Sequence, residues 1–358
     1  MTRAARPWLW PLVPAYRLAL ALRDVPLRMG LKPVRRLRWP VVSVGSLSAG
    51  GAGKTPLTIA LAKALTAHGV QVDVLSRGYG RRRRSAVPLL VDLRGTAETF
   101  GDEPLVIARE AQVPVFVAAE RYKAGMLAEG AREQGSEGTR KQGSKGAREQ
   151  GSEGASRRVG VHLLDDGFQH RQLHRDVDIL LLSSEDLKDH LLPAGNLREA
   201  LHAAERASVI AIPADEPEVA DWVKSRGWEG QVWRVRRKMD VPQVEGPVVA
   251  FCGIARPEQF FEGLESAGLD RAGLRLAARF AFPDHHSYTA GDLERVTIAA
   301  QHAGATALLT TEKDRVRLGA MAAGLPASLL LEAVKLRIEI ENERAAVDWL
   351  IRAMRKTA

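Results

Sequence analysis

Residues 40–58, PVVSVGSLSAGGAGKTPLT, constrain the fold more than any other stretch of the chain. Residues 40–45 form a short apolar run of β-branched residues, the pattern of a buried strand. A loop holding Gly45, Gly50, Gly51 and Gly53 follows. After it come Lys54-Thr55 and apolar positions at helical spacing, Leu57, Ile59, Ala60, Leu61, Ala64 and Leu65. Strand, glycine loop, Lys-Thr and helix in this order make a phosphate-binding P-loop. Glycines let backbone N–H groups approach a triphosphate, and the helix N-terminus favours the anion. Lys54 reaches the β/γ oxygens and Thr55 can ligate Mg²⁺. The first position of G-x-x-x-x-G-K-[ST] is here Ser48, so the expected cradle is Ser48, Gly50, Gly51, Ala52, Gly53, Lys54 and Thr55. The stretch predicts a nucleoside triphosphate site.

At 358 residues the chain is long enough for two domains, each with its own core. The single cysteine, Cys252, excludes an intramolecular disulfide framework and fits a reducing compartment. A net charge of +9 points to an anionic partner: nucleic acid, an anionic membrane surface or a phosphorylated substrate. Aromatics are only 5% of residues and are not interleaved with basic ones, which argues against nucleic acid.

Residues 7–31, PWLWPLVPAYRLALALRDVPLRMGL, are dense in Trp, Leu, Val and Ala, but their longest uncharged run is too short to span a bilayer. Arg17, Asp24 and Arg28 recur at near-helical spacing, predicting one charged stripe. Trp8, Trp10 and Tyr16 suit a headgroup boundary, and Arg35, Arg36 and Arg38 follow. The expectation for residues 1–38 is an amphipathic helix lying on a membrane surface; the alternative is a core helix of the P-loop domain.

Further strands are expected at 70–75, 87–92, 113–118, 159–164, 177–182 and 207–213, alternating with helices. That rhythm implies a mostly parallel sheet with helices on both faces. Ser76-Arg77-Gly78-Tyr79-Gly80 follows a strand end, where such folds place ligands, and leads into Arg81–Arg84, a run that otherwise reads as a solvated face. Asp102-Glu103 opens a helix, where adjacent acids ordinarily complement the dipole; a role near a metal and an attacking hydroxyl is the alternative. The strand at 159–164 ends in Asp165-Asp166, the form of a Walker B element. Residues 130–153 are three eight-residue units, GAREQGSE, GTRKQGSK and GAREQGSE, without apolar periodicity. They are expected to form a disordered insert, bounded at 130–157. The P-loop domain is thus expected over 39–230. A smaller α/β domain over 231–358 would have strands at 231–238, 246–252, 305–310 and 329–340. His285-His286 beside Asp284 suggests a metal, yet no third ligand has recognisable spacing.

The motifs GGAGKTP, SRGYG, GDEP, AERYKAG, DDGFQH, PAGNLRE, GIARPEQF, FPDHHSY and TEKD, in this order over roughly residues 8–354, closely resemble the tetraacyldisaccharide 4′-kinase family. The resemblance implies ATP and Mg²⁺ as cofactors and transfer to the 4′-hydroxyl of an acylated glucosamine disaccharide 1-phosphate. It also implies a position peripheral to the cytoplasmic face of the bacterial inner membrane; a monomer is expected. Carried over by position, it makes Lys54, Asp102 and His285 catalytic, with Asp102 taking the hydroxyl proton and His285, rather than His286, pairing with it. It makes Thr55, Glu103, Asp165 and Asp166 the metal's neighbours. Arg77, Tyr79, Arg121, Gln169, His170 and Arg198 become the substrate contacts. Because His285 belongs to the second domain, the active site is expected between domains, with closure on substrate. Two other classes share parts of the pattern. A soluble GTPase or metallochaperone-type NTPase needs a guanine-reading N-K-x-D, and Thr311-Glu312-Lys313-Asp314 lacks the Asn. A membrane scaffold explains residues 7–38 but not two acidic motifs and a P-loop.

Overall fold

Every position of Val41–Ser46 (β1) is buried, because this strand lies near the middle of a sheet covered on both faces. A computed structural model describes residues 6–51, 53–81, 87–142, 160–270 and 274–357. The remaining strands among these residues are β2 (Gln71–Ser76), β3 (Leu89–Leu90), β4 (Val115–Val117), β5 (Gly160–Asp165), β6 (Val177–Leu181) and β7 (Val209–Pro213). They continue with β8 (Gln231–Asp240), β9 (Gly246–Cys252), β10 (Leu274–Ala281), β11 (Ala307–Thr311) and β12 (Leu330–Ile340). Together they form one sheet in the order β10-β9-β11-β12-β8-β7-β6-β1-β5-β2-β4-β3. Pairing is parallel except for β12 with β8 and β3 with β4. The strands of 231–358 are therefore continuous with the P-loop sheet through β8, which pairs with β7 on one side and β12 on the other. Their outer part has its own core, centred on Val248, Phe260, Phe261 and Leu309.

The helices are α1 (Val13–Arg28), α2 (Lys54–Ala67), α3 (Ala97–Phe100), α4 (Asp102–Ala111), α5 (Arg121–Gln142) and α6 (Ser184–Lys188). They are followed by α7 (Pro217–Ser225), α8 (Pro257–Asp270), α9 (Ala290–His302), α10 (Glu312–Leu318) and α11 (Glu343–Thr357). Leu57, Leu61 and Leu65 of α2 and Val347, Leu350 and Met354 of α11 share one core with β1, β5 and β8. β10 was not expected from the sequence, and the strand expected at 87–92 shortens to two residues.

The N-terminal segment overturns the alternative reading of its sequence, a core helix of the P-loop domain. No residue of the turn Pro7–Leu12 or of α1 is buried, so it is not a core helix. Of the expected charged stripe, Arg17 is exposed while Asp24 is largely covered. Asp24 faces the protein and binds Arg171 Nη1 at 2.6 Å, Arg23 reaches Glu199, and the Tyr16 hydroxyl donates to Arg198 O at 3.0 Å. Polar anchors hold the helix, and its apolar side faces outward: Trp8, Trp10, Leu12, Leu18, Leu22 and Val25 are all exposed.

The expected disordered insert also needs correction. α5 runs through the first repeat unit to Gln142. Its earlier turns are tied down: Glu129 accepts from the backbone N–H groups of Arg38 and Trp39, and Arg132 holds Asp73 while lying 4.4 Å over the Trp39 ring. Extending an existing helix costs far less than nucleating one, and Ala, Arg, Glu and Gln propagate it well. The remaining repeat residues, 143–157, lie outside the described residues.

Candidate active site

β1 and β5 run side by side with Val44 opposite Asp165, so the P-loop and DDGFQH leave the sheet at neighbouring points. The loop turns at positive φ at Gly50, Gly51 and Gly53, and α2 starts at Lys54 with Thr55 buried in its first turn. Ala52 lies outside the described residues. The buried Ser48 bridges to Leu197, while Arg198 donates to Ser48 O at 3.1 Å and to both Asp166 oxygens at 3.0 and 2.8 Å. Gln169 Nε2 donates to Ser46 O at 3.0 Å. Gln169 and Arg198, expected at the substrate, thus grip the P-loop backbone here. Lys54 Nζ lies 3.2 Å from Ser46 Oγ and 3.5 Å from Asp166 Oδ1.

The two adjacent acids have opposite electrostatics. Asp165 accepts from Thr58 Oγ1 at 3.1 Å. Burial, then the charges of Glu103 and Asp166, push its carboxyl up to about 7. Burial also opposes ionisation of Asp166, but Lys54, Arg198 and Arg121 outweigh it and hold that carboxyl well below the usual range. Arg121, at 5% exposure, is pushed down to about 10 by burial, with Asp166 favouring its charge and Arg77 opposing it. His170 is pushed down to about 4 by burial and then by Arg121, Arg175 and Arg77. These basic groups form one rim of the site.

Asp102 and Glu103 begin α4 opposite α10. Asp102 Oδ1 accepts from the Glu103 N–H at 2.9 Å. Its Oδ2 accepts from Arg317 Nε at 2.8 Å, is also bound by Arg317 Nη2, and lies 3.4 Å from His285 Nδ1. Glu103 Oε1 accepts from Lys313 Nζ at 2.6 Å. Burial works against the Asp102 charge, but the hydrogen bond with His285 and the charges of Arg317 and Lys313 prevail and hold its carboxyl far below the usual range. The same hydrogen bond, stronger than the cost of burial, raises His285. Tyr79 packs its ring 4.9 Å from that of His285. His286 is engaged elsewhere, 3.0 Å from Asp292 at the N-terminus of α9. Asp102 and His285, distant in sequence, therefore meet as expected.

The sequence reading missed Arg317, which joins Asp102, His285, Asp314 and the carbonyl of Gly253. Lys313 and Arg317 are four residues apart on one helix face, and that spacing after TEKD was the available signal. Thr58 and Arg256 were also missed. Together the groups form an anion-binding loop, a crowded set of carboxylates beside it, and a carboxylate–imidazole pair. They suit transfer of a phosphoryl group to a hydroxyl.

Known proteins are similar to this chain over most of its length. A family model described as tetraacyldisaccharide-1-P 4′-kinase (LpxK) matches residues 5–355. The tetraacyldisaccharide 4′-kinase of Koribacter versatilis is 37% identical over 359 residues, 97% of this chain and 98% of its own. That of Rhodopseudomonas palustris (strain BisB5) is 38% identical over 313 residues, 84% of this chain and 81% of its own. A crystal structure of the "apo" form of LpxK from Aquifex aeolicus in complex with ATP is 29% identical with a TM-score of 0.68, covering 98% of this chain and 99% of that one. The chain belongs to the tetraacyldisaccharide-1-P 4′-kinase family.

Proposed function

We propose that the chain transfers the γ-phosphoryl group of ATP to the 4′-hydroxyl of a tetraacylated glucosamine disaccharide 1-phosphate, within lipid A biosynthesis. The observation that carries this reading is the 3.4 Å contact of Asp102 with His285 at the glycine-loop end of the sheet. The hydroxyl oxygen forms its bond to the γ-phosphorus as the bond to the β–γ bridging oxygen breaks, and that electron pair leaves with ADP. The hydroxyl proton passes to Asp102, with His285 orienting the carboxylate and stabilising the transferred proton. Asp102 is a weak base in this setting. A loose transition state tolerates that, because the hydroxyl keeps its proton until late and the demand falls on positioning and charge neutralisation. Lys54 faces the β/γ oxygens, and Arg77 and Arg121 offset charge at the substrate rim. Tyr79 and His170 line the same rim, while Gln169 and Arg198 act by fixing the loop.

Mg²⁺ fits the residues present. Burial and then the repulsion of Glu103 and Asp166 push Asp165 up to about 7, and a cation among Asp165, Asp166, Glu103 and Thr55 would offset both. Among the described residues no three acidic, histidine or cysteine side chains enclose a metal by themselves, which suits an ion held largely by phosphates and water. When bound, Mg²⁺ neutralises charge on the β- and γ-phosphates.

The outward apolar side of α1, with Trp8 72% and Leu22 59% exposed, supports a peripheral position on the cytoplasmic face of the inner membrane. Among the described residues no helix is long and apolar enough to cross a membrane. The separate core of β9–β11 supports two domains, 39–230 and 231–358, which meet where α10 holds the acids that open α4. Labelled γ-phosphate transfer to tetraacyldisaccharide 1-phosphate in detergent micelles tests the reading. Wild type transfers and Asp102→Ala loses about a hundredfold or more, the scale of general-base effects. Failure of folded, ATP-binding wild type to transfer would refute the acceptor.

A further inference from the structure

Two arginines from the C-terminal part of the chain, Arg237 on β8 and Arg256 after β9, lie against the glycines of the P-loop, and the phosphoryl-transfer reading gives them no role so far. A Cβ atom built on Gly51 would meet Arg256 Cδ, Cγ and Nε at 2.8, 2.9 and 2.9 Å. One built on Gly53 would lie 3.7 and 3.8 Å from Arg237 Nε and Nη2, beside Ile338 Cδ1 at 3.2 Å. The sequence explains both approaches. Arg237 pairs across the ladder with Ile338 and follows Trp233 and Val235 on the core-facing side of β8, so its side chain projects past the end of the core onto the loop. Arg256 sits between β9 and α8, in the turn that also carries Gly253.

Like charges gathered at one loop favour a further anion there, beyond the carboxylates that already face them. Lys54, Arg237 and Arg256 are all brought to one loop whose glycines stand at positive φ. Arg237 keeps solvent contact, yet desolvation and then the charge of Arg256 lower its pKa, against Glu216, Glu185 and Asp186. Arg256 Nη1 is held at 2.7 Å by Glu185 Oε2, a carboxylate 46% exposed on α6. A half-exposed ion pair adds little stability, so it is a weak reason to direct a guanidinium over a phosphate loop. Its carboxylate has the charge and hydrogen-bonding pattern of a phosphate edge.

We propose that Arg256 and Arg237 form a two-arginine clamp on the β- and γ-phosphates of the bound nucleoside triphosphate, and that Glu185 holds Arg256 until the nucleotide replaces it. Planar guanidinium groups bind phosphate oxygens in pairs, and an arginine delivered within the same chain can neutralise charge on the transferring group. Arg256 sits in the turn that also carries Gly253, whose carbonyl holds Arg317 beside Asp102 and His285. Docking of the C-terminal strands on the nucleotide thereby aligns donor and base together.

This inference rests on the P-loop binding ATP, so the test measures nucleotide binding directly. Equilibrium binding of a fluorescent ATP analogue and of ADP is compared for wild type, Lys54→Ala, Arg256→Ala, Arg256→Lys, Arg237→Ala and Glu185→Ala, with melting temperatures and steady-state transfer. Arg256→Ala and Arg237→Ala should each weaken ATP binding about ten- to a hundredfold, the range for charged hydrogen bonds, and lower kcat. Arg256→Lys should recover much of the affinity and little of kcat. Glu185→Ala should bind ATP about two- to fivefold more tightly, the scale of a half-exposed ion pair. If Arg256→Ala and Glu185→Ala lose the same melting temperature and both keep wild-type ATP affinity, the pair is a structural tether and the clamp is wrong. A change in acceptor KM with ATP affinity intact would also overturn it, because the arginines would then serve the lipid phosphate. If Lys54→Ala leaves ATP binding unchanged, the P-loop reading itself fails, an outcome distinct from the other two.

Discussion

Gly101→Ala tests how Asp102 is held. Gly101 precedes α4 at φ 90° and ψ 154°, backbone that is almost exclusive to glycine and costs other residues about 1–3 kcal/mol. The added Cβ would lie 2.8 Å from Tyr79 O and 3.1 Å from Gly78 Cα. The obstacle is backbone rather than a movable side chain, so GDEP and SRGYG must separate, at about 1–3 kcal/mol more. The expected loss is about 2–6 kcal/mol by these two contributions. Gly304→Ala is the matched control, with φ +60° and nothing within 4 Å of the new methyl; it should lose only about 1–2 kcal/mol. The gain from restricting the unfolded chain is common to both and cancels. Because Asp102 is the next residue, a shift of about 1 Å should also lower kcat about a hundredfold. Urea midpoints and transfer at saturating ATP read the two effects. A Gly101→Ala protein as stable as Gly304→Ala, with wild-type kcat, would refute the idea that this seam positions the carboxylate.

Arg317→Met should cost about 3 kcal/mol, the low end for breaking a buried ion pair, since His285 and Lys313 remain near Asp102; a loss under about 1 kcal/mol in urea unfolding would show that Asp102 is satisfied without it. His170 should make stability fall as pH drops. Its folded pKa of about 4 lies below the ordinary imidazole value of 6.5, so between those values the unfolded chain binds a proton that the folded chain refuses. The contribution is complete above pH 6.5, and His170→Gln should flatten the pH dependence of the urea midpoint; an unchanged slope would place the proton uptake elsewhere. Replacing Trp8 and Trp10 together by Ala should cut partitioning onto anionic vesicles about tenfold or more while shifting folding stability by under about 0.5 kcal/mol. Equal sedimentation of the variant and wild type with vesicles would count against the membrane face.

Local spacing made the central elements legible. The P-loop, the acidic end of β5 and the start of α4 are each written within a few residues, because glycine conformation, helix caps and buried strands are local physics. Arg317 and Arg256 were not legible in that way. Their partners, Asp102 and Glu185, lie far away in sequence, and no periodicity encodes such pairing. The same limit hid which side of α1 meets the protein. Charges at helical spacing ordinarily mark the wet side, and only the tertiary partner Arg171 turns Asp24 inward. β10 was missed because LRLAARFA mixes helix-favouring alanines and arginines with a weak alternation, and its register shifts between Leu276 and Ala278. Docking against β9 decides its conformation.

The octapeptide units enter the fold where length is least constrained. α5 is last described at Gln142, and the chain rejoins the sheet at Gly160, the end of β5 opposite the one that carries Asp165. Six residues of strand separate the two ends, about 20 Å at the usual rise. Replication slippage in the underlying 24-nucleotide unit would add or remove whole octapeptides without changing the reading frame. Such copy-number drift would be felt at the far end of β5 and not at the phosphate loop. The same junction is a natural place to graft a fluorescent or affinity reporter into an active kinase.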